Sequence, residues 1–179
     1  MSVIMGLPET KFDCIVVDPP WPMRKIKRKV RPNQYELDYP VLSIDEIYDL
    51  PISRLAASNC HLFLWTTHKY LPTALACLSK WGFTYVCLFV WHKTGGPQPF
   101  NLPQYNCEFV VYARKGTPKF TEVTAFNACF MGPRREHSRK PDEFYSMVRR
   151  VVDGNLLDMF ARSERPGWTV WGNEINKFS

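Results

Sequence analysis

The chain has 179 residues, 23 Lys+Arg against 17 Asp+Glu for a formal net charge of +6, and 45% hydrophobic residues. This length and apolar share suit one globular domain over residues 1–179 with a core of its own, and exclude a disordered or low-complexity chain. No apolar run approaches the roughly 20 residues that span a bilayer, and Met1 to Phe12 lacks a secretory pattern, so the protein is read as cytoplasmic with no membrane partner.

Phe12 to Val17 is a short β-branched run ending at a polar residue and two prolines, the pattern of a buried strand opening into a loop. Ser43 with Glu46 makes a capping box, predicting a helix from there to about Leu50, before Pro51. Cys60 to Trp65 reads as a second strand. Leu71 to Trp81 reads as a helix, with Pro72 in its first turn, Leu71, Leu75 and Leu78 on one face and Gly82 as its stop. Thr84 to Trp91 is a third strand, Lys93 to Tyr105 a proline-rich and glycine-rich loop, and Cys107 to Tyr112 a fourth strand. Thr121 to Phe130 is ambiguous, and Met131 to Lys140 reads as a basic loop. Asp142 to Val152 is a helix, and Leu156 to Phe160 and Trp168 to Trp171 are short closing strands. Strands alternating with helices give an α/β fold, a mostly parallel sheet with helices on both faces.

The six cysteines form no CxxC pair, and the four histidines show no HExxH or Cys/His ligand spacing, so no metal site is expected. The glycines make neither GxGxxG nor GxxxxGK[ST], which removes the usual fingerprints of dinucleotide and P-loop sites.

Charge is concentrated. Arg24 to Arg31 holds six basic residues and no acid, leaving the remainder balanced at 17 against 17. So dense a block is a solvated surface suited to a polyanion, and Lys25, Lys27, Arg28 and Lys29 are candidate phosphate contacts. If all six met duplex phosphates, log K would fall against log salt with a slope of about −5.

The block follows Asp18-Pro19-Pro20-Trp21. Two prolines without N–H groups leave carbonyls to dominate the exposed backbone, an acid precedes them and a large aromatic face follows. Such an acceptor-rich pocket with a stacking wall suits an exocyclic amine on a flat ring. Acceptors that draw that nitrogen toward tetrahedral geometry localise its lone pair, which is transition-state stabilisation by preorganised dipoles.

Six motifs in order give the chain a resemblance to the MT-A70 family of S-adenosylmethionine-dependent adenine-N6 methyltransferases. They are Asp-Pro-Pro-Trp at 18–21, Leu-Phe-Leu-Trp at 62–65, Trp-Gly-Phe at 81–83, Val-Trp-His-Lys-Thr at 90–94, Ser-Arg-Lys-Pro-Asp-Glu at 138–143 and Trp-Gly-Asn-Glu at 171–174. The resemblance implies a Rossmann-like methyltransferase fold and S-adenosylmethionine as cofactor. It also implies that Asp18, Pro19, Pro20 and Trp21 hold the target amine, that Asp18 contacts the cofactor as well, that Lys140 lies beside the cofactor's methionine end and the catalytic pocket, and that Asp158, Arg162, Asn173 and Glu174 lie around its adenosine and ribose. Trp65, Trp91, Lys93, Glu108 and Ser138 match pocket or substrate-side positions. The polymer expected is DNA rather than RNA, with a homodimer or a heteromeric partner plausible for so small a domain. A non-catalytic nucleic-acid-binding subunit is the alternative from another class, and the intact Asp18 to Trp21 motif argues against it.

Overall fold

The computed structural model describes residues 6–22, 41–94, 103, 106–133 and 139–172. Seven strands form a single sheet: β1 (Phe12–Val17), β2 (Ala56–Thr66), β3 (Thr84–Thr94), β4 (Cys107–Lys115), β5 (Cys129–Pro133), β6 (Leu156–Met159) and β7 (Thr169–Trp171). Their order across the sheet is β5-β3-β4-β2-β1-β6-β7. β1 pairs in parallel with β2 and β6, β6 with β7, and β3 with β5, whereas β4 runs antiparallel to both β2 and β3. The sheet is mostly parallel, as the alternation of elements implies, and its architecture is the Rossmann-like one that the resemblance implies.

Side-chain alternation along the central strands divides the core in two. Ile15 and Val17 of β1, Leu62 and Leu64 of β2, and Val111 and Ala113 of β4 face one side. There they meet Ile47 of α1 (Ile44–Tyr48), Ile52 and Leu55 of α2 (Ile52–Leu55), and Ala74, Leu78 and Trp81 of α3 (Leu71–Trp81). Cys14, Val16, Phe63, Trp65, Val110 and Tyr112 face the other side, against Phe144, Val148 and Val151 of α4 (Asp142–Val151). Helices therefore cover both faces.

The helix signals act as the chemistry predicts. The Ser43 hydroxyl accepts from the Glu46 amide at 3.2 Å while the Glu46 carboxylate accepts from the Ser43 amide at 2.8 Å, closing the capping box of α1. Gly82 ends α3 at φ 75°, where a residue without a Cβ carries little strain.

Several elements differ in extent from expectation, among them β4, which continues to Lys115 rather than ending at Tyr112. β2 starts at Ala56 rather than Cys60, after the single turn of α2. β3 continues to Thr94, so Lys93 stands on a strand rather than in a loop. β5 occupies a stretch read partly as ambiguous and partly as basic loop, because it is a five-residue edge strand containing Gly132 and Pro133 with little apolar alternation. No helix among the described residues is long and apolar enough to cross a membrane.

Candidate active site

Parallel strands gather their carboxyl ends on one edge of the sheet, where open α/β folds bind ligands. Asp18 follows the last residue of β1 there, its amide donating to the Met159 carbonyl at 3.3 Å, so β1 and β6 deliver Asp18 and the 158–162 segment to the same place. β4 contributes differently. Because it runs antiparallel, its amino end lies at this edge and brings Glu108 into the site.

Four charged side chains alternate in sign across the edge. Lys140, immediately before α4, lies 3.2 Å from Asp18 Oδ1 and 2.9 Å from Glu108 Oε2. The other Glu108 oxygen accepts from Lys93. The Lys140 ammonium also sits 5.1 Å from the Trp65 ring centre, and that of Lys93 5.2 Å from Trp91, so each lysine rests on an aromatic face. Trp65 and Trp91 meet edge to face at 6.1 Å. Both are buried. They form a floor beneath the lysines instead of an exposed substrate surface.

Burial opposes ionisation of Glu108, but Lys140 and Lys93 outweigh it and hold the carboxyl down at about 2. The Asp18 carboxyl is pushed above the usual carboxylate range by burial and by Glu108, against the opposing influence of Lys140 and Arg162. Burial works against the Lys140 charge as well, yet Asp18 and Glu108 raise its pKa. Glu108 is thus a fixed anion that anchors Lys140, and Asp18 is the carboxylate whose charge depends on that lysine.

The backbone after Asp18 is tightly held. The Trp21 amide donates to the Pro19 carbonyl at 2.8 Å and the Leu42 amide to the Pro20 carbonyl at 3.0 Å. Each carbonyl keeps a second lone pair. Trp21 is 6% exposed, stacks on Tyr70 with ring centres 5.2 Å apart, and donates its indole N–H to the Trp65 carbonyl at 3.0 Å. The Tyr70 hydroxyl donates to the Pro22 carbonyl. The ring expected to form a stacking wall for a target is instead the pillar that fixes the Pro-Pro turn. Sequence reasoning missed Tyr70, whose position at the start of α3 carries no motif signal.

On the β6 side a cleft of about 20 Å³ opens beside Asp18, Lys140, Asp158, Phe160 and Arg162. Phe160 holds φ 65°, a left-handed conformation that costs a residue with a Cβ about 1–3 kcal/mol. A Cβ on Gly172 would lie 2.6 Å from the Ala161 carbonyl oxygen, so only glycine lets β7 close this tightly on the cleft wall. Asp158 is 1% exposed and is contacted by Arg165 and Tyr145, and burial pushes its carboxyl up to about 7.

The donor set fits S-adenosylmethionine: a carboxylate and an ammonium side by side match the α-ammonium and α-carboxylate of its methionine end. Asp18, Lys140, Asp158 and Arg162 are brought together around the cleft, and Lys93 and Glu108 join through the charged chain. Lys25, Lys27, Arg28, Lys29, Ser138, Asn173 and Glu174 lie outside the described residues, as do most of the loop expected after Lys93 and the start of the second basic loop.

The family model for MT-A70 matches residues 12–174. The chain belongs to the MT-A70 family. It is 28% identical to the type II methyltransferase M.MunI of a Mycoplasma species, over 97% of this chain and 82% of that protein. It is 33% identical to the human N(6)-adenine-specific methyltransferase METTL4, over 93% of this chain and 38% of the relative. With the human N(6)-adenosine-methyltransferase catalytic subunit METTL3 it shares 28% identity over 93% of this chain and 28% of the relative. The chain thus spans most of the Mycoplasma protein but well under half of either human one. In this MT-A70 chain, the segment from β1 to the end of β7 carries the whole described site.

Proposed function

We propose that this MT-A70 protein transfers a methyl group from S-adenosylmethionine to the N6 amine of adenine in DNA. The observation that carries the reading is Asp18 at the end of β1, 3.2 Å from Lys140 and followed by two proline carbonyls locked in place by Trp21 and Leu42. When bound, the cofactor supplies an electrophilic methyl group on a sulfonium.

The protein's own contribution is geometric and electrostatic. The Asp18 carboxylate accepts one N–H of the target amine and a proline carbonyl accepts the other, which turns the nitrogen lone pair out of the ring plane and toward the methyl carbon. As positive charge develops on nitrogen, the Asp18 carboxylate holds the proton that the product amine sheds. Lys140 keeps Asp18 ionised before reaction, and Glu108 keeps Lys140 in place. In a duplex the adenine must first leave the stack, at a cost of a few kcal/mol. DNA is favoured because the relative matched over most of its own length is the type II methyltransferase.

Labelled S-adenosylmethionine, offered with matched single-stranded DNA, duplex DNA and RNA, tests this, with N6-methyladenine scored separately in deoxyribo- and ribonucleosides. Label in deoxyadenosine is expected. Label confined to RNA overturns the choice of polymer. Cofactor binding without label in any polymer overturns the reading for this chain acting on its own. Asp18→Ala should lower transfer by about a thousandfold and leave polymer binding nearly unchanged.

A further inference from the structure

A second ionic network, built on Arg165, adjoins the first. Arg165 Nε donates to Asp158 Oδ2 at 3.0 Å, and Arg165 Nη1 donates to Asp142 Oδ1 at 2.8 Å. Its guanidinium lies 3.6 Å from the centre of the Tyr145 ring. The other oxygen of Asp142 accepts from Arg139 Nη2 at 3.1 Å. Residues 139–142 are consecutive, so one short stretch is gripped from both directions. Lys140 reaches into the Asp18–Glu108 cluster, and Arg139 and Asp142 belong to the Arg165 cluster.

We propose that Arg165 is the positioning residue that fixes the 139–142 segment, and with it Lys140, beside Asp18, with Asp158 as its buried counter-charge rather than a direct contact of the cofactor. The proposal deepens the cofactor reading and rests on it for its binding arm alone.

Three features support it. Asp158 is all but inaccessible, and its carboxylate contacts Arg165 and Tyr145. The two carboxylates that Arg165 joins belong to different elements, the end of β6 and the first residue of α4, so the pair fastens one element to the other. The residue type matters too, since a planar guanidinium can present two N–H groups in diverging directions while its face stacks on an aromatic ring, and a lysine ammonium cannot do all three. A buried carboxylate is costly unless paired, so Asp158 in turn holds Arg165 in one place.

The test compares the wild type with Arg165→Gln, Arg165→Lys, Asp158→Asn and Asp142→Asn. Titration calorimetry measures S-adenosylhomocysteine affinity, and amide hydrogen exchange follows the peptide covering residues 139–145, with β2 as the internal control. Arg165→Gln should speed exchange in 139–145 and leave β2 unchanged, and should weaken S-adenosylhomocysteine by about tenfold or more, as expected for lost charge-assisted hydrogen bonds. Arg165→Lys should recover part of both. Asp142→Asn, which removes the charge from the link to α4 and leaves the Arg165–Asp158 pair intact, should speed exchange in the same peptide, though less than Arg165→Gln. Asp158→Asn takes the charge from the other end of the link, so it should lose S-adenosylhomocysteine affinity only together with faster exchange in 139–145.

Native exchange in 139–145 for both Arg165→Gln and Asp142→Asn overturns the proposal. So does an Asp158→Asn protein that loses affinity while its 139–145 exchange stays native, since that makes Asp158 a direct contact. If Arg165→Gln does not fold, Asp142→Asn and Arg165→Lys decide. A wild type that fails to bind S-adenosylhomocysteine sinks the cofactor reading only, and the exchange comparison still judges Arg165.

Discussion

The two halves of the site are held by different forces. On the β1–β2 side, Trp21, Tyr70 and the Pro-Pro turn are fixed by ring stacking and by hydrogen bonds to backbone carbonyls, with the Lys69 ammonium 4.7 Å from the Tyr70 ring centre but no carboxylate among these contacts. On the β6–α4 side, residues 139–142 and 158–165 are fixed by carboxylate pairs with lysine and arginine. Stacking and neutral hydrogen bonds are insensitive to pH and weakly affected by salt, whereas ion pairs follow the protonation of their acids. The Pro19 and Pro20 carbonyls, proposed as acceptors, thus rest on a support that does not titrate, and the charge of Asp18 is set from one that does.

Breaking the neutral side should have the larger effect on stability. Trp21→Ala removes a buried ring that stacks on Tyr70 and should cost about 3–5 kcal/mol in urea unfolding. Trp21→Phe keeps a ring for Tyr70 but loses the donor to Trp65 and part of the indole's volume, so about 2–3 kcal/mol is expected. Equal losses would mean that the indole N–H rather than the stack is the pillar.

The charged side should reveal itself in pH dependence. In the proposed mechanism the reactive form of Asp18 is the carboxylate, so kcat/KM should fall as pH drops through its folded pKa, which burial raises and Lys140 lowers. Lys140→Met removes the lowering influence. The acid limb of the kcat/KM profile should move to higher pH, and an unmoved limb would show that Lys140 does not set the Asp18 charge. Trp21→Phe should leave the position of that limb untouched.

The smallest effect sharpens the contrast. Tyr70→Phe deletes the hydroxyl that donates to the Pro22 carbonyl and keeps the stacked ring. A loss of about 1 kcal/mol is expected, with S-adenosylhomocysteine affinity changed by less than about twofold because no charged group is disturbed. A larger change in affinity would mean that the two halves are mechanically coupled.

Local chemistry made much of this readable in the sequence. β1, the Gly82 stop of α3, and α4 with Phe144 and Val148 on one face follow from periodicity and capping, and the Asp18 to Trp21 motif marked the candidate site. Leu75, expected on the apolar face of α3, is instead 40% exposed, and Ala74, Cys77, Leu78 and Trp81 form that face. The direction of β4 was not readable, because an apolar run of its kind says nothing about which way the strand points. Glu108 could therefore be placed by resemblance but not explained. Burial of Trp21 was hidden for a similar reason: an aromatic after a Pro-Pro turn serves a wall or a pillar equally, and Tyr70 decides between them from 49 residues away. Arg165 sits in a polar stretch without periodicity, and only the meeting of α4 with β6 gives it a purpose.

The register of β1 bears on how the chain folds. Cys14 pairs with His61 on one side and with Leu156 on the other, so the strand that carries Asp18 finds its second neighbour almost at the opposite end of the sequence. Contacts of such separation are slow to form, because a long loop must close before they are rewarded. An intermediate that holds β1 through β4 without β6 has a bare edge on its most apolar strand and is prone to pair with another chain. Completion of the catalytic edge and protection from aggregation are thus the same late event, the arrival of Leu156 to Met159 beside β1.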